Sequence, residues 1–312
     1  MNRIFYSFTT VSVVTSLLVA TTLDKNDALT YLNSLRVSAG ILPLKNNQIL
    51  ETAAQNHINY LNDRSLSGHY ENNLTDPSDF YTGDIPHDRG VFAGYKASFY
   101  LENFSSGQDD FNSSIDGLMS AIYHRYGFLH LNIDEIGIGV SDTDNKLFNY
   151  DMGNSLVNKL CDGDSYSGDK EYYYNVCTNN DLKIEVNLYE DSLNSLAKES
   201  SDIIVWPPSN SENISPVFYE ESPDPLPDSS VSGYPISLEF NSYIYKNNTI
   251  FVKNFELYDE KDNLVQNMFL MNETNDINAK HTPYQFTLFP LNRLEWNSIY
   301  KVVVDYSIDD RL

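Results

Sequence analysis

The sequence is poor in cysteine and in positive charge. Its 312 residues contain two cysteines, and 20 Lys and Arg stand against 44 Asp and Glu, for a formal net charge of −24. Nucleic-acid binding depends on Lys and Arg contacts to phosphate, so this balance argues against nucleic acid as a partner. No polybasic cluster is present that could attract the chain to an anionic membrane surface.

The common catalytic motifs are also missing. The sequence contains no HExxH, GxSxG, GxGxxG or P-loop pattern, which excludes the most frequent hydrolase and nucleotide-binding signatures. The stretch DGDSYSGD resembles a calcium loop, but Tyr173 occupies the position that needs a carboxylate. An EF-hand is therefore not expected.

The N-terminus has the pattern of an export signal. Arg3 provides a short positive region, and an apolar-rich run over residues 10–20 precedes the first acidic residue, Asp24. We predict a signal peptide over residues 1–23, cleaved after Ala20, with no membrane span after cleavage. An uncleaved anchor is the alternative, although the apolar run is short for a span. The protein is then expected in the periplasm, on the cell surface or secreted.

In an exported chain, the two cysteines predict one disulfide, Cys161–Cys177. The two thiols have no histidine nearby, so they make a poor zinc site. The disulfide should stabilise the fold by about 3 kcal/mol.

Hydrophobic periodicity divides the chain into two parts. Helical patterns come first, with strand-like runs between and after them, which predicts an α+β or three-layer domain over residues 24–155. Residues 156–202 hold the disulfide loop and a connecting segment. Seven of the 12 prolines follow within residues 203–235, which we interpret as a linker or an extended lead-in. Alternating apolar residues over residues 236–312 predict an all-β sandwich.

Several short motifs carry a resemblance to a known family. LNSLRVSAGILPL, SGHYE, LEN and YHRYGFLHLNIDEIGIGV occur in that order over residues 27–151. Together they resemble a bacterial member of the CAP superfamily (SCP-like; the cysteine-rich secretory, antigen 5 and pathogenesis-related proteins). The resemblance implies a three-layer α-β-α sandwich with a central cleft. The C-terminal part resembles a bacterial Ig-like domain. That domain usually closes with a further strand, so we expect either a domain without its last edge strand or a truncated gene product.

The same resemblance implies the residues of the cleft. They are His69 in SGHYE, Glu102 in LEN and His124 in YHR, and the family holds a divalent metal there in some members, with zinc the first expectation for this chain. Relatives carry a second glutamate on the helix before His124, where this sequence has Ala121. Glu135 is close enough in sequence to be considered as a substitute.

Two functions follow as hypotheses. The first is a binding module of the cell envelope or exterior, which recognises an extracellular ligand, a lipid or a protein partner. The alternative is a metal-dependent hydrolase, a peptidase or nuclease, in which His69 and His124 hold the metal and Glu102 completes the shell or acts as general base.

Overall fold

The computed structural model describes residues 2–10, 24–73, 78–141, 143 and 146–309. The elements follow the chain in this order: β1 (Asn2–Thr10), α1 (Lys25–Ser38), β2 (Lys45–Asn46), α2 (Gln48–Arg64), α3 (Pro86–Ala93), β3 (Leu101–Ser106), α4 (Phe111–Ser120), α5 (Ile122–Phe128), β4 (Glu135–Ser141), β5 (Leu147–Gly153), α6 (Ser155–Cys161), β6 (Tyr172–Tyr173), β7 (Ile184–Glu185), α7 (Val186–Leu193), a short 3₁₀ helix (Ala197–Glu199), β8 (Ile203–Trp206), β9 (Ser211–Ile214), β10 (Ile236–Phe240), β11 (Ile250–Tyr258), β12 (Met268–Met271), β13 (Gln285–Pro290) and β14 (Ile299–Ile308). The predicted α+β composition is confirmed.

The first half is built on a four-stranded sheet in the order β2-β4-β5-β3. Strand β4 shows how helices cover both faces. Gly137 and Gly139 lie against the backbone of α2, so close that a Cβ on Gly137 would come within 1.9 Å of Glu51 N. The alternate residues Ile136 and Ile138 point the other way, into a core shared with α1 and α4. The IGIG pattern therefore places α2 on one face and the remaining core helices on the other.

The stretch DDFNSSIDGLMSAIYHR begins with acidic residues that suit a helix N-terminus and predicts a single helix, but it is two helices in the structure. Ala121 adopts an extended backbone (φ −79°, ψ 116°), which ends α4 and begins α5. The prediction of one continuous helix, with His124 at its end, is wrong because His124 is the third residue of α5. The break gives α5 its own direction and its own unpaired N-terminal amides.

The predicted disulfide is confirmed. Cys161 ends α6 and is bonded to Cys177, with the two Cα atoms 5.4 Å apart. Both residues are buried in a small apolar cluster with Leu50, Tyr95 and Ile184. The bridge therefore ties the segment after α6 to the face of the sheet that α2 covers.

The second half consists of two four-stranded sheets, β11-β14-β1-β9 and β12-β13-β10-β8, that share one apolar core. The five strands β10 to β14 of this half agree with the predicted all-β sandwich, which stays a prediction together with its assignment as Ig-like. The proline-rich segment contributes β8 and β9, which lie at the outer edges of the two sheets. Edge strands tolerate the neighbouring prolines, because one side of an edge strand needs no ladder hydrogen bonds.

Strand β1 lies within the predicted signal peptide. It pairs antiparallel with β14, from Asn2 opposite Tyr306 to Thr9 opposite Ile299, and Phe8 is fully buried in the sandwich core. In this structure β1 is therefore an inner strand of its sheet, between β14 and β9. The apolar run and the predicted cleavage site after Ala20 lie outside the described residues. In the described part of the chain, no helix has the length and apolar character needed to cross a membrane.

Candidate functional site

The three side chains predicted to form a site do come together. The rings of His69 and His124 are nearly parallel, 19° apart, with their centroids separated by 6.2 Å. Glu102 lies beside His69, and its Oε1 accepts a hydrogen bond of 2.7 Å from His69 Nδ1. Both histidines line one open cleft.

The edge strand β3 positions both histidines through two consecutive residues. Side chains alternate between the two faces of a strand, so Glu102 and Asn103 point to opposite sides of the sheet. Glu102 reaches His69, and Asn103 Nδ2 donates to the backbone carbonyl of His124 at 2.8 Å. The dipeptide Glu-Asn of the LEN motif thus contacts one histidine on each face.

Glu102 is buried and held ionised. Its Oε2 accepts hydrogen bonds from Arg89 at 2.6 Å and from Asn149 at 3.1 Å. Burial alone would raise the pKa of Glu102, but the hydrogen bond from His69 and the charge of Arg89 lower that pKa to about 2. Burial and the charge of Glu102 raise the pKa of the neighbouring Asp151 well above its ordinary value. The negative charge of this pair is therefore concentrated on the carboxylate that faces His69.

Two fully buried side chains, Arg89 and His57, hold the backbone of the loop that carries His69. Arg89 donates to the backbone carbonyl of His69 at 3.0 Å. The fully buried His57 lies 2.8 Å from Glu71 through Nδ1 and 2.9 Å from the carbonyl of Gly68 through Nε2. His57 is therefore a structural residue of the core that fixes the backbone next to His69.

A second carboxylate, which the sequence did not reveal, holds His124. Glu221 comes from the proline-rich segment, and its Oε2 accepts a hydrogen bond of 2.9 Å from His124 Nδ1. The same oxygen accepts from the backbone N–H of Tyr123 at 3.1 Å, in the first turn of α5. Its side chain is 2% exposed. Glu221 thus caps a helix that has no cap of its own and orients the histidine that follows.

Glu135 does not substitute for the missing acid. Its carboxylate accepts hydrogen bonds from Tyr95 at 2.8 Å and from Asn47 at 2.7 Å, within the core under α2. It does not line the cleft. Glu135 links α2 to β4, and the idea that it contributes to the site is wrong.

The cleft has a volume of about 580 Å³. Two exposed aromatic side chains border it, Tyr70 (72% exposed) beside His69 and Tyr219 (65% exposed) near Glu221. Side chains with hydroxyl or amide groups line much of the remainder: Ser105, Ser106, Gln108, Ser114, Ser120 and Ser222. Among the described residues that line it, none is Lys or Arg.

The donor set does not match a three-ligand metal site. Over the residues that the structure describes, no group of three or more His, Cys, Asp or Glu side chains is arranged to hold a metal ion. Both oxygens of Glu102 are engaged by His69, Arg89 and Asn149, which leaves the two imidazole Nε2 atoms as ligands. Catalytic zinc usually needs three protein ligands. His69, His124 and Glu102 therefore lie together without forming a three-ligand metal set among the described residues, and zinc binding stays a prediction.

Residues 29–160 match the model of the CAP family, described as the cysteine-rich secretory protein family. The matched range contains His69, Glu102 and His124 and ends well before Glu221. It covers less than half of the chain. The prediction of a CAP domain is confirmed for these residues.

Three solved structures are similar to part of the chain. An extracellular protein containing a SCP domain from Bacillus anthracis is 18% identical with a TM-score of 0.36, over 41% of this chain and 39% of that one. An outer surface protein from Borrelia burgdorferi is 18% identical with a TM-score of 0.37, over 43% of this chain and 95% of that one. A cysteine-rich secretory protein from Staphylococcus aureus is 19% identical with a TM-score of 0.30, over 42% of this chain and 41% of that one.

The match spans less than half of the Bacillus and Staphylococcus proteins. These TM-scores are too low to support an inference about function. No curated protein matches the chain.

Proposed function

We propose that this chain is an exported protein whose CAP domain binds a ligand of the cell envelope or exterior in the cleft between His69 and His124, without catalysing a reaction. One observation carries the proposal: each imidazole donates from Nδ1 to a nearly buried carboxylate and lines an open cleft. The carboxylates set the Nδ1–H form, so each Nε2 is an acceptor for a ligand. Two hydrogen-bonding groups of fixed polarity suit selective binding.

The arrangement of hydroxyl groups supports binding over covalent catalysis. A nucleophilic serine needs a base within hydrogen-bond reach. Within the described residues, Ser105 bonds to Ser114, Ser120 bonds to a backbone carbonyl, and the hydrogen bonds of the His69 and His124 rings go to carboxylates and not to a serine. The cleft hydroxyls are therefore better placed to contact a ligand than to attack one.

Export is supported by the disulfide and by the predicted signal. Structural disulfides persist in oxidising compartments and are rare in the cytosol, and Cys161–Cys177 leaves no free cysteine among the described residues. The negative charge of the whole chain favours solubility outside the cell over adsorption to anionic lipid.

The chemistry of the cleft favours a neutral saccharide. The exposed rings of Tyr70 and Tyr219 offer apolar faces of the kind that pack on sugar rings, and the serine hydroxyls and imidazoles can pair with sugar hydroxyls. Glu220 and Glu221 border the cleft without a Lys or Arg in its lining, which disfavours phosphate and carboxylate ligands. The volume suits a small ligand or a short glycan segment.

The test uses the histidines as reporters. The full chain has six His, so the imidazole NMR signals of His69 and His124 can be assigned with single variants. We would titrate the neutral β-1,4-linked trimer of N-acetylglucosamine, and palmitate and a lysine tripeptide as competing classes. We expect the trimer to shift both signals, and Tyr70→Ala or Tyr219→Ala to weaken its binding about fivefold, since an aromatic contact contributes about 1 kcal/mol. Tyr174→Ala, an exposed tyrosine outside the cleft, is the matched control.

The outcomes separate the ligand class from the binding function. Shifts caused by palmitate or the peptide alone would reject the saccharide and keep the binding cleft. Shifts that survive both tyrosine substitutions would place the saccharide elsewhere. An absence of shifts with every probe would overturn the binding proposal.

The alternative of a metal-dependent peptidase or nuclease gains no support from the geometry, because the described residues assemble no three-ligand site. Calorimetric titration with zinc tests it directly. We expect no saturable binding that depends on the cleft. Saturable zinc binding by the wild type that is lost in the His69→Ala/His124→Ala variant would support the metal-site hypothesis. It would then justify assays of Glu102→Gln for lost hydrolysis.

A further inference from the structure

Helix α5 lies between the cleft and the β-sandwich. His124 faces the cleft, whereas the next two residues of α5, Arg125 and Tyr126, hydrogen-bond to strands of the β-sandwich. Arg125 is fully buried and donates from Nη1 to the backbone carbonyl of Pro235 at 2.8 Å and to Ser237 at 3.1 Å. Tyr126 hydrogen-bonds to Thr287 at 3.2 Å. The backbone that carries His124 is thus anchored on β10 and β13.

A network of hydrogen bonds also joins the start of α5 to the second half of the chain. The Tyr123 hydroxyl donates to Asp276 at 2.5 Å. Asp276 also pairs with Nδ1 of the buried His281 at 3.0 Å, whose Nε2 contacts Thr287 at 2.9 Å. Asp276, His281 and Thr287 are buried, so each depends on the others for its hydrogen bonds. The network leaves α5 little freedom to rotate about its axis.

The segment that presents Glu221 is anchored on both sides of that residue. Before it, Phe218 is 2% exposed, packs on Phe289 and exchanges two backbone hydrogen bonds with Ser232. After it, the carbonyl of Asp224 accepts from Asn278 at 2.7 Å. The β-sandwich therefore fixes both the backbone of His124 and the carboxylate that binds its ring.

From this geometry we infer that Glu221 is the positioning residue of His124 and that the β-sandwich is an integral part of the CAP cleft. The second half of the chain is then more than a spacer or an anchor. The inference rests on the proposed function only in taking the cleft as the site, because the orientation of His124 can be measured without any ligand.

The experiment measures the tautomer of His124 by ¹⁵N NMR in the full chain. The hydrogen bond to one ring nitrogen selects the tautomer, so His124 should carry its proton on Nδ1. In Glu221→Gln we expect the population to move toward the Nε2–H form. His69, which Glu102 holds, should keep its tautomer and serves as the internal reference.

Glu220→Gln is the matched control. It removes the same charge from the adjacent, exposed residue that also lines the cleft. We expect it to leave the His124 tautomer unchanged. An equal change in both variants would show a general charge effect and would overturn the inference, as would an unchanged tautomer in Glu221→Gln.

A second variant tests the anchoring without changing charge. Phe218→Ala removes the buried ring beside Glu221, so we expect it to move the His124 tautomer in the same direction as Glu221→Gln, with the near-UV circular dichroism of the fold retained. A folded Phe218→Ala variant with the wild-type tautomer would overturn the role of the sandwich and leave Glu221 acting alone. A failure of the saccharide titration would affect neither result.

Discussion

The two histidines of the cleft are supported in different ways. His69 depends on a buried ionic cluster within the first half of the chain, formed by Glu102, Arg89 and Asn149. His124 depends on Glu221, which follows it by 97 residues and lies outside the range that matches the CAP family. The first support is part of the core that holds the domain together, whereas the second is added from outside.

This difference teaches that one site can combine a first wall, formed by His69 and Glu102 and supported by the core of its own domain, with a second wall, formed by His124 and supported from the β-sandwich. Removal of a group from the His69 side leaves a buried charge without its partner, which is costly. Removal of Glu221 leaves a helix end and a ring that is 15% exposed, where water can replace the lost bonds. The substitutions below should therefore have effects of very different size.

Arg89→Met should have the largest effect. It removes the fully buried guanidinium between Glu102 and Glu71 and leaves both carboxylates without that partner. We expect the free energy of unfolding to fall by about 3–5 kcal/mol, measured by urea denaturation. Lys25→Met is the control, since the Lys25–Glu51 pair is partly exposed and should contribute below about 1 kcal/mol. Similar losses in the two variants would remove the distinction between a core cluster and a surface pair.

The pH dependence of stability should show the next effect. The pKa of Glu102 is about 2 in the folded protein and about 4.5 in the unfolded chain, so its contribution is complete above pH 4.5. That contribution should be lost as the pH falls from about 5 toward 2. Denaturation of the wild type across this range should therefore be steeper with pH than that of Glu102→Gln. Parallel profiles would contradict the ionised state of Glu102.

The CAP resemblance predicted that His69, Glu102 and His124 share one cleft, and it rests on the short motifs SGH, LEN and HR. The period of a strand then places Glu102 and Asn103 on opposite faces of β3. The glycines and isoleucines of IGIGV likewise specify which face α2 covers. Each of these features depends on residues near one another in the chain or on one element.

The support of His124 by Glu221, and the helix break at Ala121, could not be predicted in this way. Glu221 lies in an acidic, proline-rich segment without periodicity, so nothing in the sequence distinguishes it from Glu220. The break at Ala121 occurs without proline or glycine, and tertiary contacts of α5 with the sandwich favour it over a continuous helix. The one available signal was the missing acid itself: the CAP resemblance expects a second glutamate, and this chain has Ala121 there.

Strand β1 could not be predicted from the sequence for the same reason, because its partners are distant in the chain. Residues 2–10 belong to the predicted export signal, and they also alternate Ile4, Tyr6 and Phe8 toward the sandwich core. Apolar side chains suit both a signal and a strand, so composition cannot choose between them. The pairing of β1 with β14 and β9 is non-local, and the sequence alone does not reveal it.

Glu221→Gln should have the smallest effect on stability and the clearest effect on one ring. With its amide NH2 in the place of Oε2, next to His124 Nδ1, the Gln side chain can still accept from the N–H of Tyr123 through an oxygen in the place of Oε1, so we expect the free energy of unfolding to fall by about 1 kcal/mol. Glu220→Gln should change it by less than about 0.5 kcal/mol. A loss as large as that of Arg89→Met would mean that both walls belong to one cooperative core.

A small loss of stability accompanied by the altered His124 tautomer would instead mean that the β-sandwich sets the orientation of His124 without being needed to fold the cleft. A ligand that contacts Tyr219 would then be able to act on His124 through the segment that carries Glu221.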